Sequence, residues 1–124
     1  MRGWSIFFIA AALFNFAAGV PLLVAPHENL ALMHLPPVAD VMYHQVTGLL
    51  IICFGVGYGL VAGDPSSNRG IVWLGVAGKA GVIFLMAQAY SAGTIPFQAF
   101  AVALGDLAFV LGFVIFLLQS ARQR

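Results

Sequence analysis

The sequence predicts an all-α polytopic membrane protein with four transmembrane helices in a compact bundle. Three observations carry that reading. Apolar residues make up 62% of the 124-residue chain and charged residues 7%, against about 45–50% and about 25% in soluble domains. Four stretches are each long enough to cross about 30 Å of hydrocarbon, which takes about 20 helical residues. Short polar or Pro/Gly-containing breaks separate them. So few charges cannot cover a water-facing surface, which excludes a soluble enzyme and a disordered tail. A net charge of +1 leaves no basic footprint for nucleic acid. The single cysteine, Cys53, excludes an intramolecular disulfide framework and a multi-cysteine zinc site.

The chain reads as a single transmembrane domain over residues 1–124, without a linker or an obvious internal repeat. The first span covers residues 4–25. Arg2 ahead of an apolar run is also how a signal peptide begins, but the run is too long for a signal's apolar segment. Pro26-His27-Glu28-Asn29 is expected to end this span, with a short amphipathic piece over 30–35. Pro36-Pro37 then opens the second span, 38–62, as proline does in a first helical turn. Asp64-Pro65-Ser66-Ser67-Asn68 has turn composition and leads to the third span, 70–90. Residues 91–96 form the last turn before the fourth span, 95–118. The dyad alternation of membrane strands is absent.

Charge sets an expected orientation. Arg2, Arg69, Arg122 and Arg124 fall on one side of a four-span chain, and residues 26–37 and 91–95 contain no Lys or Arg. The positive-inside rule then places both termini in the cytoplasm and those two loops outside, in what is expected to be a bacterial inner membrane. Trp4, Tyr43, Trp73 and Tyr90 lie near span ends, where aromatic residues anchor.

Two charges fall inside the spans, Lys79 and Asp106. Counted from the turn between spans three and four, they lie about 20 Å and about 17 Å deep at 1.5 Å per residue. Opposite charges at one depth in neighbouring helices are expected to face inward and pair, since a lone charge there costs about 2.5–3.5 kcal/mol on insertion scales. Asn15 lies at similar depth and completes a mid-membrane polar layer with them. Helical spacing assembles matching stripes: Ala11, Ala12, Asn15, Ala18 and Gly19 in the first span, and Asp40, His44, Thr47, Gly48, Ile51, Gly55 and Gly59 in the second. Val72, Gly75, Val76, Lys79 and Val82 follow in the third, and Ala99, Ala103, Asp106 and Val110 in the fourth. Small residues at such spacing, including Gly55, Gly59 and Gly63, let helices approach. Phe97, Phe100, Phe116 and Leu117 are left for lipid or a partner. The layer is either a register-fixing ion pair or a binding or proton-linked site.

A second group sits toward the outer loops. Asp40, Tyr43 and His44 are the possible ligand-binding residues, with His44 bonded to Asp40 or Tyr43. His27, Glu28, His34 and His44 are candidate metal ligands by residue type, although their spacing matches no established motif. A lone His44 is also the kind of residue that ligates a haem-type pigment. Cys53 reads as a packing or lipid-facing residue. Gly55-Val56-Gly57-Tyr58-Gly59 is no nucleotide loop, because it lies inside an apolar helix with no preceding strand.

The chain resembles the small four-helix membrane proteins called DoxX-like. The likeness covers most of the chain and rests on the four short spans, Gly19-Val20-Pro21, Gly48-Leu49-Leu50, Gly55-Val56-Gly57-Tyr58, Gly78-Lys79 and Gly105-Asp106. The resemblance implies a four-helix bundle. Some relatives are subunits linked to quinone-dependent sulfur oxidation or oxidative-stress complexes. It carries over no catalytic residue. Three functional readings follow. One is an accessory or assembly subunit embedded in the lipid bilayer beside other membrane subunits or further copies of itself. The second is a small-molecule or proton-linked transporter using Lys79 and Asp106. The third is a redox component holding a quinone or metal near His44 and Asp40.

Overall fold

Residues 2–122 are described by the computed structural model, and all regular structure among them is helical. The order is α1 (Arg2–Val24), α2 (Pro26–Leu32), α3 (Met42–Gly63), a 3-10 turn (Pro65–Ser67), α4 (Arg69–Ser91) and α5 (Phe97–Arg122). Four of these helices, α1, α3, α4 and α5, are long and apolar enough to cross a membrane. Arg2, Arg69 and Arg122 fall at one end, called here the arginine end. Arg124 lies outside the described residues.

The connection between α1 and α3 differs from the expected one. Pro26-His27-Glu28-Asn29 is not a plain break but the body of α2, with Pro26 in its first turn, where a missing N–H costs nothing. The short helix therefore starts before residue 30 and ends at Leu32. His34 stops it with φ at 58°, and the Leu35 N–H reaches back to the Leu30 carbonyl at 2.9 Å. Pro36-Pro37 does not open the next helix, which begins at Met42. Asp40 explains the delay: its Oδ1 accepts the Met42 N–H at 2.9 Å, holding the chain in a turn ahead of the helix. The third and fourth spans keep their expected places, with α5 running on to Arg122.

Two tight helix pairs form the bundle. α1 lies against α3, and α4 against α5. The first pair meets through glycine. A Cβ on Gly48 would lie 2.8 Å from the Gly19 carbonyl oxygen and 2.9 Å from the Leu23 nitrogen. Backbones this close leave no room for a side chain. Gly55 fits the expected stripe, but Gly59 and Gly63 meet nothing within 4 Å. Val82, placed on an inward stripe of the third span, is 46% exposed.

Aromatic side chains fill the space between the two pairs. Phe8 of α1 stacks on Phe113 of α5 at 5.3 Å and meets Phe116 edge-on at 5.2 Å. Phe7 touches Phe109 and Phe113, and Tyr58 of α3 lies 5.0 Å from Phe113. Phe116 and Leu117, expected to face lipid, are 1% and 4% exposed. On a helix apolar all round, composition does not separate the core face from the lipid face. The arginine end is further tied by polar contacts. Arg69 donates from Nε to Ser120 Oγ at 2.8 Å and from Nη2 to the Leu117 carbonyl at 2.9 Å. Trp4 Nε1 donates to Gln119 Oε1 at 3.2 Å. The other half of the bundle is looser: on α4, no residue from 80 to 91 is buried.

Candidate functional site

One hydrogen-bonded chain crosses all four spanning helices at a single level. It starts at the Ile51 carbonyl of α3, which accepts from Asn15 Nδ2 of α1 at 3.0 Å. Asn15 Oδ1 then accepts from Lys79 Nζ of α4 at 3.0 Å. Lys79 Nζ also donates to Asp106 Oδ1 of α5 at 2.5 Å. Asn15, Lys79 and Asp106 are all buried. The polar layer expected from the positions of three residues is therefore a continuous structure. Each member lies on its helix's inward face, because its neighbours there are small: Ala11, Ala12 and Gly19 beside Asn15, Gly75 beside Lys79, and Ala99 and Ala103 beside Asp106.

Aromatic rings complete the surroundings of Lys79. Its ammonium lies 5.1 Å from the Phe14 ring centroid, 5.6 Å from Tyr58 and 5.7 Å from Phe109. Ring faces attract a cation most strongly where water is excluded. Two of these rings are seated on glycines. A Cβ on Gly105 would lie 2.9 Å from Phe14, and one on Gly75 would lie 2.8 Å from the Tyr58 hydroxyl. The cage was not anticipated from sequence. Its available signal was the pair of glycines at Gly75, one turn before Lys79, and Gly105, next to Asp106.

The layer is packed rather than hollow. Two shallow depressions mark the surface, one along Phe84, Ala87, Gln88 and Ser91 of α4, the other between Cys53, Gly57 and Leu74. Neither is lined by Asn15, Lys79 or Asp106.

The residues expected near the outer loops do not converge. Asp40 and Tyr43 are exposed, Tyr43 by 75%. Asp40 lies ahead of α3 and serves the Met42 N–H, so it does not share a helix face with His44. His44 bonds to neither: its Nδ1 is buried with no hydrogen-bond partner. Thr47 donates to its own helix at the Tyr43 carbonyl. Among the described residues, no three of His, Cys, Asp or Glu are gathered to hold a metal ion, so His27, Glu28, His34 and His44 are not brought together. Cys53 is free and exposed. In the turn after α3, the Ser67 and Ser66 hydroxyls hold the Asp64 carboxyl below the usual carboxylate range. Compared with protein-family models, curated proteins and solved structures, the chain matches none of them.

Proposed function

We propose that this chain is an accessory or assembly subunit of a larger membrane complex, acting by docking its helices against other membrane subunits or further copies of itself. The observation that carries the reading is the state of α4. Beyond Lys79 it has no buried residue up to Ser91, and Phe84 and Leu85 are 62% and 64% exposed. A helix inside a four-helix bundle ordinarily has neighbours on two sides. Half of α4 leaves an apolar face free for another helix. The central polar layer supports the same reading, because its members are bonded to one another and enclosed by rings. The arginine asymmetry supports a cytoplasmic arginine end in a bacterial inner membrane. The DoxX-like resemblance, whose relatives include complex subunits, agrees with it.

The test is native mass spectrometry of tagged chain extracted gently from its own membrane, with a photo-crosslinking residue at Leu85. We expect a defined complex crosslinked through Leu85. A monomer at every concentration, with no crosslink, overturns the proposal.

A further inference from the structure

We propose that the groove between α3 and α4 binds one anionic phospholipid of the arginine-side leaflet, with an acyl chain in the groove and the headgroup at the arginine end. The groove is lined by Cys53, Phe54 and Gly57 of α3 and by Ile71 and Leu74 of α4, and its volume is about 220 Å3. It lies where the two helix pairs meet, and it is separate from the docking face on the other half of α4.

Glycines shape it. A Cβ on Gly57 would lie 3.1 Å from Ile71 Cγ2, so the absence of a side chain there lets Ile71 settle against α3. Deeper in, the Phe54 ring reaches across to α4, with Cζ 3.9 Å from where a Cβ on Gly78 would stand. That contact closes the groove just before Lys79. Leu74 and Cys53 are exposed, so the groove opens sideways to the bilayer.

Its length matches one leaflet. Counted from Arg69 at 1.5 Å per residue, Ile71 lies about 3 Å, Leu74 about 7 Å and Gly78 about 13 Å along α4. Counted from Gly63, Gly57 lies about 9 Å and Cys53 about 15 Å along α3. Half of the hydrocarbon core is about 15 Å. A helix with its side chains is about 10–12 Å across, too wide for this recess, whereas a single acyl chain is thin and flexible enough to lie in it.

Charge selects the headgroup. At the end where the groove begins, Arg2, Arg69 and Arg122 face one acidic residue among the described residues, Asp64. The Asp64 carboxylate is engaged within its own turn by Ser66. The first turn of α4 holds no acidic residue. The opposite end has no Lys or Arg in residues 26–37 and 91–95. Cationic residues at a membrane surface attract anionic lipid, so a phosphodiester carrying net negative charge suits the arginine end and a zwitterionic one gains less there.

The probe is phosphatidylglycerol with a diazirine midway along one acyl chain, at low fraction in phosphatidylcholine nanodiscs holding the full chain. After photolysis we expect a saturable label, one per chain, on the peptides that contain Cys53, Ile71 and Leu74. Unlabelled phosphatidylglycerol should compete about tenfold better than phosphatidylcholine of the same acyl chains. Cys53→Trp fills the groove from an exposed position and should remove the label at Ile71 and Leu74. Leu49→Trp, on the other half of α3, should leave it. Arg69→Gln should bring the two competing lipids close to parity. Ser120→Ala breaks the same bond to Arg69 Nε but keeps the charge, and it should preserve the preference. Equal competition by the two lipids in the native chain overturns the proposal. So does a label spread evenly over the lipid-facing residues, or one unchanged at Ile71 and Leu74 in Cys53→Trp.

Discussion

The asymmetry around the central ion pair makes a quantitative prediction about three variants. Lys79→Met removes the cation paired with Asp106 and leaves a carboxylate whose side chain is 12% exposed. Breaking a buried pair from one side costs about 3–5 kcal/mol, and that is the expected loss. Asp106→Leu leaves the ammonium with Asn15 and with Phe14, Tyr58 and Phe109. A desolvated cation over a ring gains about 2 kcal/mol, so this loss should be smaller, about 1–2 kcal/mol. The double variant removes both charges, and apolar replacement of a whole pair is often neutral. It should lie within about 1 kcal/mol of the native chain. The double-variant loss falls short of the sum of the two single losses by several kcal/mol, well beyond the ~0.5 kcal/mol within which independent sites add. The assay is reversible unfolding in bicelles, followed by steric trapping. If only a hydrogen bond between helices were at stake, both single variants and the double variant would each lose about the same 0.6 kcal/mol. That pattern, or a Lys79→Met variant more stable than Asp106→Leu, refutes the reasoning.

Gly48→Ala should destabilise the bundle by about 1–3 kcal/mol, the usual cost of overpacking, because the atoms its Cβ meets are backbone; Gly59→Ala, which meets nothing within 4 Å, should unfold in the same detergent titration as the native chain. His34→Gly should stabilise by about 0.5–1 kcal/mol in thermal unfolding, since a side chain at φ 58° carries a strain of about 1–2 kcal/mol that glycine lacks. Asp64 should favour the native turn at neutral pH and lose that contribution on acidification. Its folded pKa lies below the ordinary value, so the effect is complete above that value and disappears as pH falls through the folded pKa. Amide exchange at Ser66 and Ser67 reads this, and Asp64→Asn should abolish the pH dependence.

The parts of this structure that the sequence made legible are those where polarity is expensive. Lys79, Asp106 and Asn15 stand out because few polar groups enter an apolar span, and their depth follows from counting residues back to a turn. The faces of the helices were harder. Lipid and core are equally apolar, so the period that separates them in a soluble helix fades. That is why Phe116 and Leu117 were expected outside and lie inside, while Val82 was expected inside and lies half exposed. The loop before α3 misled for a different reason. Pro36-Pro37 fits a helix start, but Asp40 offers its carboxylate to the Met42 N–H, and the helix begins after it. Arg69 was legible as a charge on one side of the membrane. Its bonds to Ser120 and the Leu117 carbonyl join positions some fifty residues apart, which one sequence does not pair.

The position of the polar chain within the bundle explains why the protein keeps it. Toward the arginine end the two helix pairs are joined by rings, from Trp4 and Phe116 to Phe14 and Phe109, and by the Arg69 and Trp4 hydrogen bonds. All six of the largest fully buried side chains lie in this region. Toward the other end each pair is internally close, α1 on α3 through Gly19 and Gly48, α4 on α5 beside Ala99 and Ala103. The chain from Ile51 through Asn15 and Lys79 to Asp106 sits where these two regimes meet. Asn15 and Lys79 tie the two pairs together, and Asp106 joins α5 to the same ammonium.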